Sequence, residues 1–319
     1  MELTKKEYLE KVLETYKMSH IEKLLKKYTD KRDTIKKEIE EKYKSKIYIP
    51  INSGSFAKHT AINNKFDLDI AVPFKKDSFD TLEDMFDDIF KLLNDKYEKD
   101  ATIKKQKVSI GIQFHSDEDD DVISLDIVPG RELNKDQYSD DKKLNLYVNS
   151  KYGTLAEKSY IQTNINAQIE HIKAKENERK IIRLLKIWKT NNYEKYKSFL
   201  LELITIKAFN QKSISGDLWE KLKCTLEYIE DNIAKENFTL QDPGNSNNDV
   251  SKTLEIYEKQ LLVSKMRTIL DRIEDNEDNI KTYFPLNKDF EKEEKSDNGY
   301  GLKGSVIGAS IPPDNQRFG

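Results

Sequence analysis

The 319-residue sequence predicts an α+β protein in two halves: a sheet-bearing N-terminal half, a helical C-terminal half, and a cleft between them. Three observations predict it. Residues 3–44 are charged, free of Gly and Pro, and carry apolar residues at helical spacing. Residues 46–129 hold short apolar runs bounded by turn residues, with side chains alternating at period two. From about 164 to 281 the pattern is helical again almost throughout.

Leu9, Val12, Leu13 and Tyr16, followed by Ile21, Leu24 and Leu25, mark two helices, with Ser19 positioned to cap the second. Residues 46–53 read as a strand ending at a Gly54-Ser55 turn, and residues 66–74 as another. Ser78 or Asp80 stands where a cap is needed for a helix over 80–98, whose apolar stripe includes Leu82, Met85, Phe86, Ile89, Phe90 and Leu93. Strands are expected at 102–115 and 121–129, joined by an acidic run, with one short strand near 144–148 in an otherwise loop-rich stretch. Helices are expected at 165–175, 176–189, 199–211, 218–233 and 250–280, with a dense turn cluster at 242–249. The last two dozen residues read as a tail, loose or docked in extended form. The domain division expected is 1–160, 161–295 and a tail over 296–319.

Composition limits the function classes. Basic residues number 55 and acidic 58, a net charge of −3, which argues against a protein that coats nucleic acid. The lone Cys224 rules out an intramolecular disulfide framework and a cysteine-rich zinc site. No N-terminal apolar leader and no 18-residue apolar run occurs, so a cytoplasmic protein without membrane contact is expected.

The chemistry is concentrated in Gly54-Ser55, eleven intervening residues, Asp67-Leu68-Asp69, and a later Asp126 inside an apolar run. Asp is disfavoured in strands, yet Asp67 and Asp69 project from one face while Phe66, Leu68 and Ile70 take the other. Asp126, flanked by Leu125 and Ile127, repeats the pattern in a second strand. Carboxylates ~4 Å apart at an effective dielectric of ~20 repel by about 4 kcal/mol per pair, so such a trio calls for cations or raised pKa values. Hard divalent ions, held by a few carboxylates and by substrate phosphates, suit it. In this role Asp67 and Asp69 bridge two Mg²⁺ (or Mn²⁺) ions, and Asp126 completes the ion nearer the attacking hydroxyl. Gly54 lets the backbone approach a phosphate, and Ser55 adds a hydroxyl donor. The acidic run 118–121 reads as a hairpin tip kept soluble by charge rather than a second metal site. His59 reads as structural or solvent-exposed, and Lys58 and Thr60 as shaping the turn.

Gly-Ser, a spacer, Asp-x-Asp and a later single Asp resemble the DNA-polymerase-β-type nucleotidyltransferases. Gly54-Ser-Phe-Ala-Lys-His-Thr-Ala-Ile62 followed by Phe-Asp-Leu-Asp-Ile resembles more closely the bacterial relatives of cyclic GMP-AMP synthase, the CD-NTases of CBASS antiphage defence. The likeness continues into Arg183-Leu-Leu-Lys186-Ile-Trp188-Lys, Lys197-Ser198-Phe-Leu-Leu-Glu202-Leu, the 242–249 cluster and the closing Pro-Pro-Asp-Asn-Gln-Arg-Phe-Gly319. It implies a polymerase-β-like sheet lobe with a C-terminal helical lobe and the active site in the cleft. It also implies condensation of ATP or other NTPs into a cyclic di- or trinucleotide with release of pyrophosphate, the product acting on a downstream effector.

By that resemblance Lys186 contacts the triphosphate and Ser198 donates a hydroxyl to it. Read from the residues alone, Lys186 is equally a surface residue beside the buried stripe of Ile181, Leu184, Leu185 and Trp188, and Ser198 a helix N-cap. Thr163, Asn164 and Asn166 fall where chain order places a base pocket, although Asn164 also suits a helix cap. Gly319, an unhindered terminal carboxylate, suits conjugation by an E1/E2-like enzyme, as the resemblance implies for some operons. Two other functions compete: a terminal nucleotidyltransferase acting on RNA or a small molecule, and an inactive regulatory or antitoxin relative.

Overall fold

The computed structural model describes residues 3–149 and 160–291. Helix α1 (Lys5–Thr15) starts at a capping box between Thr4 and Glu7, and α2 spans Glu22–Tyr43. Ser19 lies inside a 3₁₀ turn, Met18–Ile21, and α2 begins after Ile21 with no side-chain cap, contrary to the expectation from sequence. Strand β1 is Ile51–Ser53, shorter than the predicted 46–53. Pro50 has no N–H to give a ladder, and upstream of it the chain is tied to the sheet by the Ile47–Phe74 bridge and the Tyr48 N–H on Pro73 O (2.8 Å).

A single helical turn, α3 (Gly54–Ala57), leads to β2 (Leu68–Phe74), with Asp67 immediately before the strand. Helix α4 (Leu82–Tyr97) is capped by Thr81, not by Ser78 or Asp80. Thr81 and Asp84 form a reciprocal capping box, Asp84 Oδ2 accepting from Thr81 N–H (3.2 Å) and Thr81 Oγ1 from Asp84 N–H (3.0 Å). The predicted strand 102–115 is a hairpin, β3 (Ala101–Lys105) and β4 (Ile110–Phe114), and β5 is Ser124–Glu132. A short helix α5 (Tyr138–Asp141) precedes β6 (Leu144–Tyr147) and β7 (Tyr160–Thr163).

The seven strands form one sheet in the order β1-β2-β5-β4-β3, extended by β6 beside β5 and β7 beside β6. Only β2 and β5 run parallel. Leu68, Ile70, Val72 and Phe74 of β2, with Leu125 and Ile127 of β5, face a core shared with Tyr28, Ile35 and Ile39 of α2 and Met85, Phe86 and Ile89 of α4. Alternation therefore sends Asp69 and Asp126 to the opposite face, and the parallel register makes them direct partners.

The helical half comprises α6 (Ile165–Ile172), α7 (Glu176–Asn191), α8 (Ser198–Gln211), α9 (Leu218–Asn232), α10 (Ile256–Asp275) and α11 (Ile280–Tyr283). Where sequence predicts only turns, β8 (Gln241–Asp242) and β9 (Asn245–Asp249) make a small hairpin. The predicted helix over 250–280 is a 3₁₀ turn followed by α10, the break at Leu254-Glu255 setting a new cap. Helix α1 packs with this half: Tyr8, Leu9, Val12 and Tyr16 share a core with Leu184, Trp188, Leu222 and Leu226. The predicted tail and Gly319 lie outside the described residues. Among the described residues no helix is long and apolar enough to cross a membrane.

The acidic run is clasped rather than free. Lys27 of α2 donates to Asp117, Asp119 and Asp121 at 2.7, 2.6 and 2.6 Å. These carboxylate oxygens lie within 4.8 Å of one another, a spacing that could also suit a metal ion. Here an ammonium supplies the positive charge, and hydrogen bonds to the three Asp side chains hold the lysine pKa well above its ordinary value.

Candidate active site

Strand β1 ends at Ser53, the register partner of Asp69 on β2, so the turn that follows lies against that carboxylate. Gly54 takes φ +66°, and a Cβ there would sit 1.6 Å from Asp69 Oδ2. Both the backbone conformation and the contact demand glycine. Gly54, Ser55, Asp67, Asp69 and Asp126 all line one cavity of about 180 Å³. Buried Asp126 accepts a hydrogen bond at Oδ1 from Gln106 Nε2 (3.1 Å), and Gln106 is held in turn by Ser109 Oγ (2.7 Å).

The opposite wall comes from α7 and α8. Lys186 Nζ is buried and donates to Thr60 O (2.9 Å) and Oγ1 (3.2 Å), so it holds the far end of the glycine turn. Lys189, one turn on, donates to Ser198 Oγ at 3.2 Å. Ser198 is the first residue of α8, and Lys197 occupies the cap position. Lys58 Nζ forms a buried ion pair with Glu202 Oε1 (2.9 Å) and lies 4.5 Å from the centre of the Phe199 ring. Counting Lys65 and Lys197, five lysines line the cavity with Asp67, Asp69, Asp126 and Glu202.

The electrostatics follow from this crowding. Burial first, then Asp67 and Asp126, raises the Asp69 pKa well above the usual carboxylate value, against the pull of Lys58 and Lys186. Burial and then Lys58 outweigh the nearby acids and depress Lys186 to about 8. Lys189 is likewise lowered to about 8, by burial, Lys65 and Lys186. Charged forms are thus costly on both walls until counter-ions arrive: cations for the carboxylates, anions for the lysines. The donor set fits a hard divalent metal, since three carboxylates line the cavity and one is held above its normal titration range by burial and then by the other two.

Of the residues named from sequence, Asp67, Asp69, Asp126, Gly54, Ser55, Lys186 and Ser198 come together here. Thr163, Asn164 and Asn166 do not line the cavity. Asn164 caps α6 by accepting from Ala167 N–H (2.9 Å), and it is Ile165 and Gln168 that reach the cavity. Gln168 donates to Asp242 Oδ1 at 2.9 Å. Lys189 and the Lys58–Glu202 pair escaped the sequence reading. Lys189 has a local signal, its i+3 spacing from Lys186; Lys58 and Glu202 are 144 positions apart and have none.

The Lys58–Glu202 pair joins the two halves. Glu202→Leu, which strands a buried ammonium, is expected to cost about 3–5 kcal/mol in urea unfolding. Adding Lys58→Met should recover most of that, because the apolar pair removes both charges together. A double variant no more stable than the single one would rule out this account.

No protein-family profile matches the chain. A curated Escherichia coli protein, CBASS oligonucleotide cyclase CdnC, is 26% identical over 222 residues, covering 65% of this chain and 66% of the relative, just under two thirds of its length. Among solved structures, E. coli MS115-1 CdnC with ATP superposes with a TM-score of 0.61 at 21% identity, covering 78% of this chain and 85% of that one. The Vibrio cholerae cyclic AMP-GMP synthase DncV, in complex with a linear intermediate, gives 0.56 at 15% identity, covering 74% and 68%. These structural likenesses establish the fold.

Proposed function

We propose that the chain is a bacterial cGAS-like nucleotidyltransferase, a CD-NTase, that condenses nucleoside triphosphates into a cyclic di- or trinucleotide signal, a reading its similarity to CdnC supports. The observation that carries this reading is the register pairing of Asp69 with Asp126 on the face where Gly54 and Ser55 meet the lysine wall.

In the proposed reaction a ribose hydroxyl oxygen attacks the α-phosphorus of a bound NTP. The α–β P–O bond breaks, and pyrophosphate leaves with the bonding electrons. Asp126 takes the hydroxyl proton. Asp67, Asp69 and Asp126 would hold the two divalent ions of the family, Mg²⁺ or Mn²⁺, which when bound stabilise the entering and leaving oxygens. Ser55 and the backbone of the Gly54 turn donate to phosphate oxygens. Lys186, Lys189 and Ser198 meet the negative charge that grows on the departing pyrophosphate, and an arriving polyphosphate restores the lysine pKa values that burial has lowered. Closure of the ring requires a second hydroxyl to reach the same centre, which proximity within one cleft provides.

A volume of about 180 Å³ is below the ~300–1,000 Å³ usual for small-molecule sites. Substrate entry therefore entails release of Lys186 from Thr60 or parting of the halves. E. coli CdnC is also solved with HORMA-deltaN, and a protein partner of that kind belongs to the proposal, as does conjugation at Gly319 by an E1/E2-like enzyme. The test is to incubate purified protein with labelled ATP, GTP, CTP and UTP plus Mg²⁺ and to analyse the products by mass spectrometry after phosphatase. A phosphatase-resistant cyclic product is expected. Only linear, sensitive products would defeat ring closure, and no NTP consumption would defeat nucleotidyl transfer.

A further inference from the structure

A glutamine stands behind Asp126, outside the cavity that the carboxylate lines. Gln106 and Ser109 are both buried, at 2% and 0% exposure, and neither reaches the cavity wall. They bound the turn between β3 and β4. On β4 the register partner of Asp126 is Gly111, which brings no side chain to that face. The polar partner comes instead from the turn: Gln106 Nε2 donates to Asp126 Oδ1 at 3.1 Å.

Chemistry fixes the direction of this relay. An ionised carboxylate only accepts, so Gln106 must turn its NH₂ toward Asp126. Its carbonyl Oε1 then faces Ser109 Oγ, which donates to it at 2.7 Å. One orientation of the amide satisfies both bonds, and the flipped one satisfies neither. The turn itself does not need them. It is closed by the Gln106 N–H on Ser109 O (2.8 Å) and pinned by the Asn149 N–H on Lys107 O (2.8 Å). A buried amide costs more than an apolar side chain of its size unless its polar ends are bonded, so the bond to Asp126 is what distinguishes glutamine here. The kind of donor matters as well. Lys27 gives Asp117, Asp119 and Asp121 an ammonium, which brings positive charge with its hydrogen bonds. Gln106 gives Asp126 a neutral donor, which restrains the carboxylate and leaves its negative charge for a cation.

We propose that Gln106, locked by Ser109, is the positioning residue of Asp126: it restrains rotation of that carboxylate, so that a divalent cation meets it already oriented. The proposal rests on the metal role given to Asp126 above. Gln106 acts on turnover only through Asp126, because it does not reach the cavity.

The probe is Mn²⁺, titrated into the full chain without nucleotide and followed by electron paramagnetic resonance of the free ion. Asp126→Asn sets the reference. The carboxylates clasped by Lys27 have the spacing for an ion of their own, so only binding that this variant removes belongs to Asp126. Gln106→Met keeps nearly the same volume and removes the donor. It is expected to weaken that binding ~10–100-fold, the range for outer-shell partners of a metal ligand. Ser109→Ala leaves the amide in place but unlocked, and should weaken binding about fivefold, the scale of one neutral hydrogen bond. It provides the same test should Gln106→Met not fold, and cooperative thermal unfolding checks each variant. In turnover assays Gln106→Met should lower kcat with little change in the KM for NTP, and raised Mn²⁺ should restore it, as it should not for Asp126→Asn. A glutamine that merely steadied the turn would show neither effect. A folded Gln106→Met or Ser109→Ala that binds Mn²⁺ as tightly as the wild type would overturn the positioning role and leave Asp126 as a metal ligand. If Asp126→Asn itself leaves Mn²⁺ binding unchanged, the metal role of Asp126 fails and this proposal with it. The titrations decide the matter whether or not the wild type consumes NTP.

Discussion

Asp69→Asn is expected to abolish NTP turnover while leaving the protein as stable as before or more so. If Asp69 holds metal as proposed, its loss should cost more than the ~10–100-fold typical of an outer-shell partner. The stability result follows from the raised pKa of Asp69, caused by burial and then by Asp67 and Asp126. A carboxyl whose folded pKa exceeds its unfolded one binds more protons in the native state. Its contribution to stability therefore falls as pH rises from the unfolded value through the folded one. Above that range the native state holds a costly charge, which asparagine removes at nearly constant volume. For the same reason added Mg²⁺ should raise the unfolding temperature of the wild-type protein, more at higher pH where Asp69 is ionised, and should not do so for the variant. The checks are pyrophosphate release and thermal unfolding with and without MgCl₂. A variant that turns over normally, or that gains as much from Mg²⁺ as the wild type, would remove Asp69 from the site.

Gly54→Ala should be nearly as damaging to activity, through shape rather than charge. The new methyl would stand 1.6 Å from Asp69 Oδ2 and 2.4 Å from its Cγ, on a residue with φ +66°. A left-handed alanine costs roughly 1–2 kcal/mol, and the clash is relieved only if Asp69 swings out of the cavity or the turn retreats from it. Either movement separates the Gly54-Ser55 turn from the carboxylates. Gly216→Ala is the control. Its φ is +90° and its added Cβ would meet Glu220 Oε2 at 2.0 Å, a similar backbone penalty remote from the carboxylates. Both variants should lose stability to a comparable degree in urea unfolding, and only Gly54→Ala should lose turnover by about a hundredfold or more, the scale seen when reacting groups are misplaced by an ångström. Equal activity in the two would show that the close approach of Gly54 to Asp69 has no catalytic consequence.

Several departures from the sequence reading share a physical cause. Ser78, Asp80 and Thr81 all carry capping chemistry, and Asp80 with Glu83 has the same box spacing as Thr81 with Asp84, so the helix start after Thr81 is fixed by the fold rather than by local sequence. The turn within 102–115 contains Gln106-Lys-Val-Ser109, with neither Gly nor Pro to mark it, and is closed by the Gln106 N–H on Ser109 O (2.8 Å). The Gln241–Asp249 hairpin is hidden from sequence because short polar strands have the composition of loops.

The alternation of apolar and acidic residues around Asp69 and Asp126 was enough, with no knowledge of the rest of the chain, to put carboxylates on the face opposite the core: a strand has a side-chain period of two, and the apolar set must be buried. The Gly54-Ser55 turn was legible for a similarly local reason. What only tertiary structure decided is the wall facing those carboxylates. Lys186 on Thr60, 126 positions away, and Lys58 on Glu202, 144 away, are contacts between groups whose local sequence carries no trace of the partner. Whether a lysine on a helix is solvated or buried with its pKa pulled down depends on what packs over it, and that is settled only when the two halves meet.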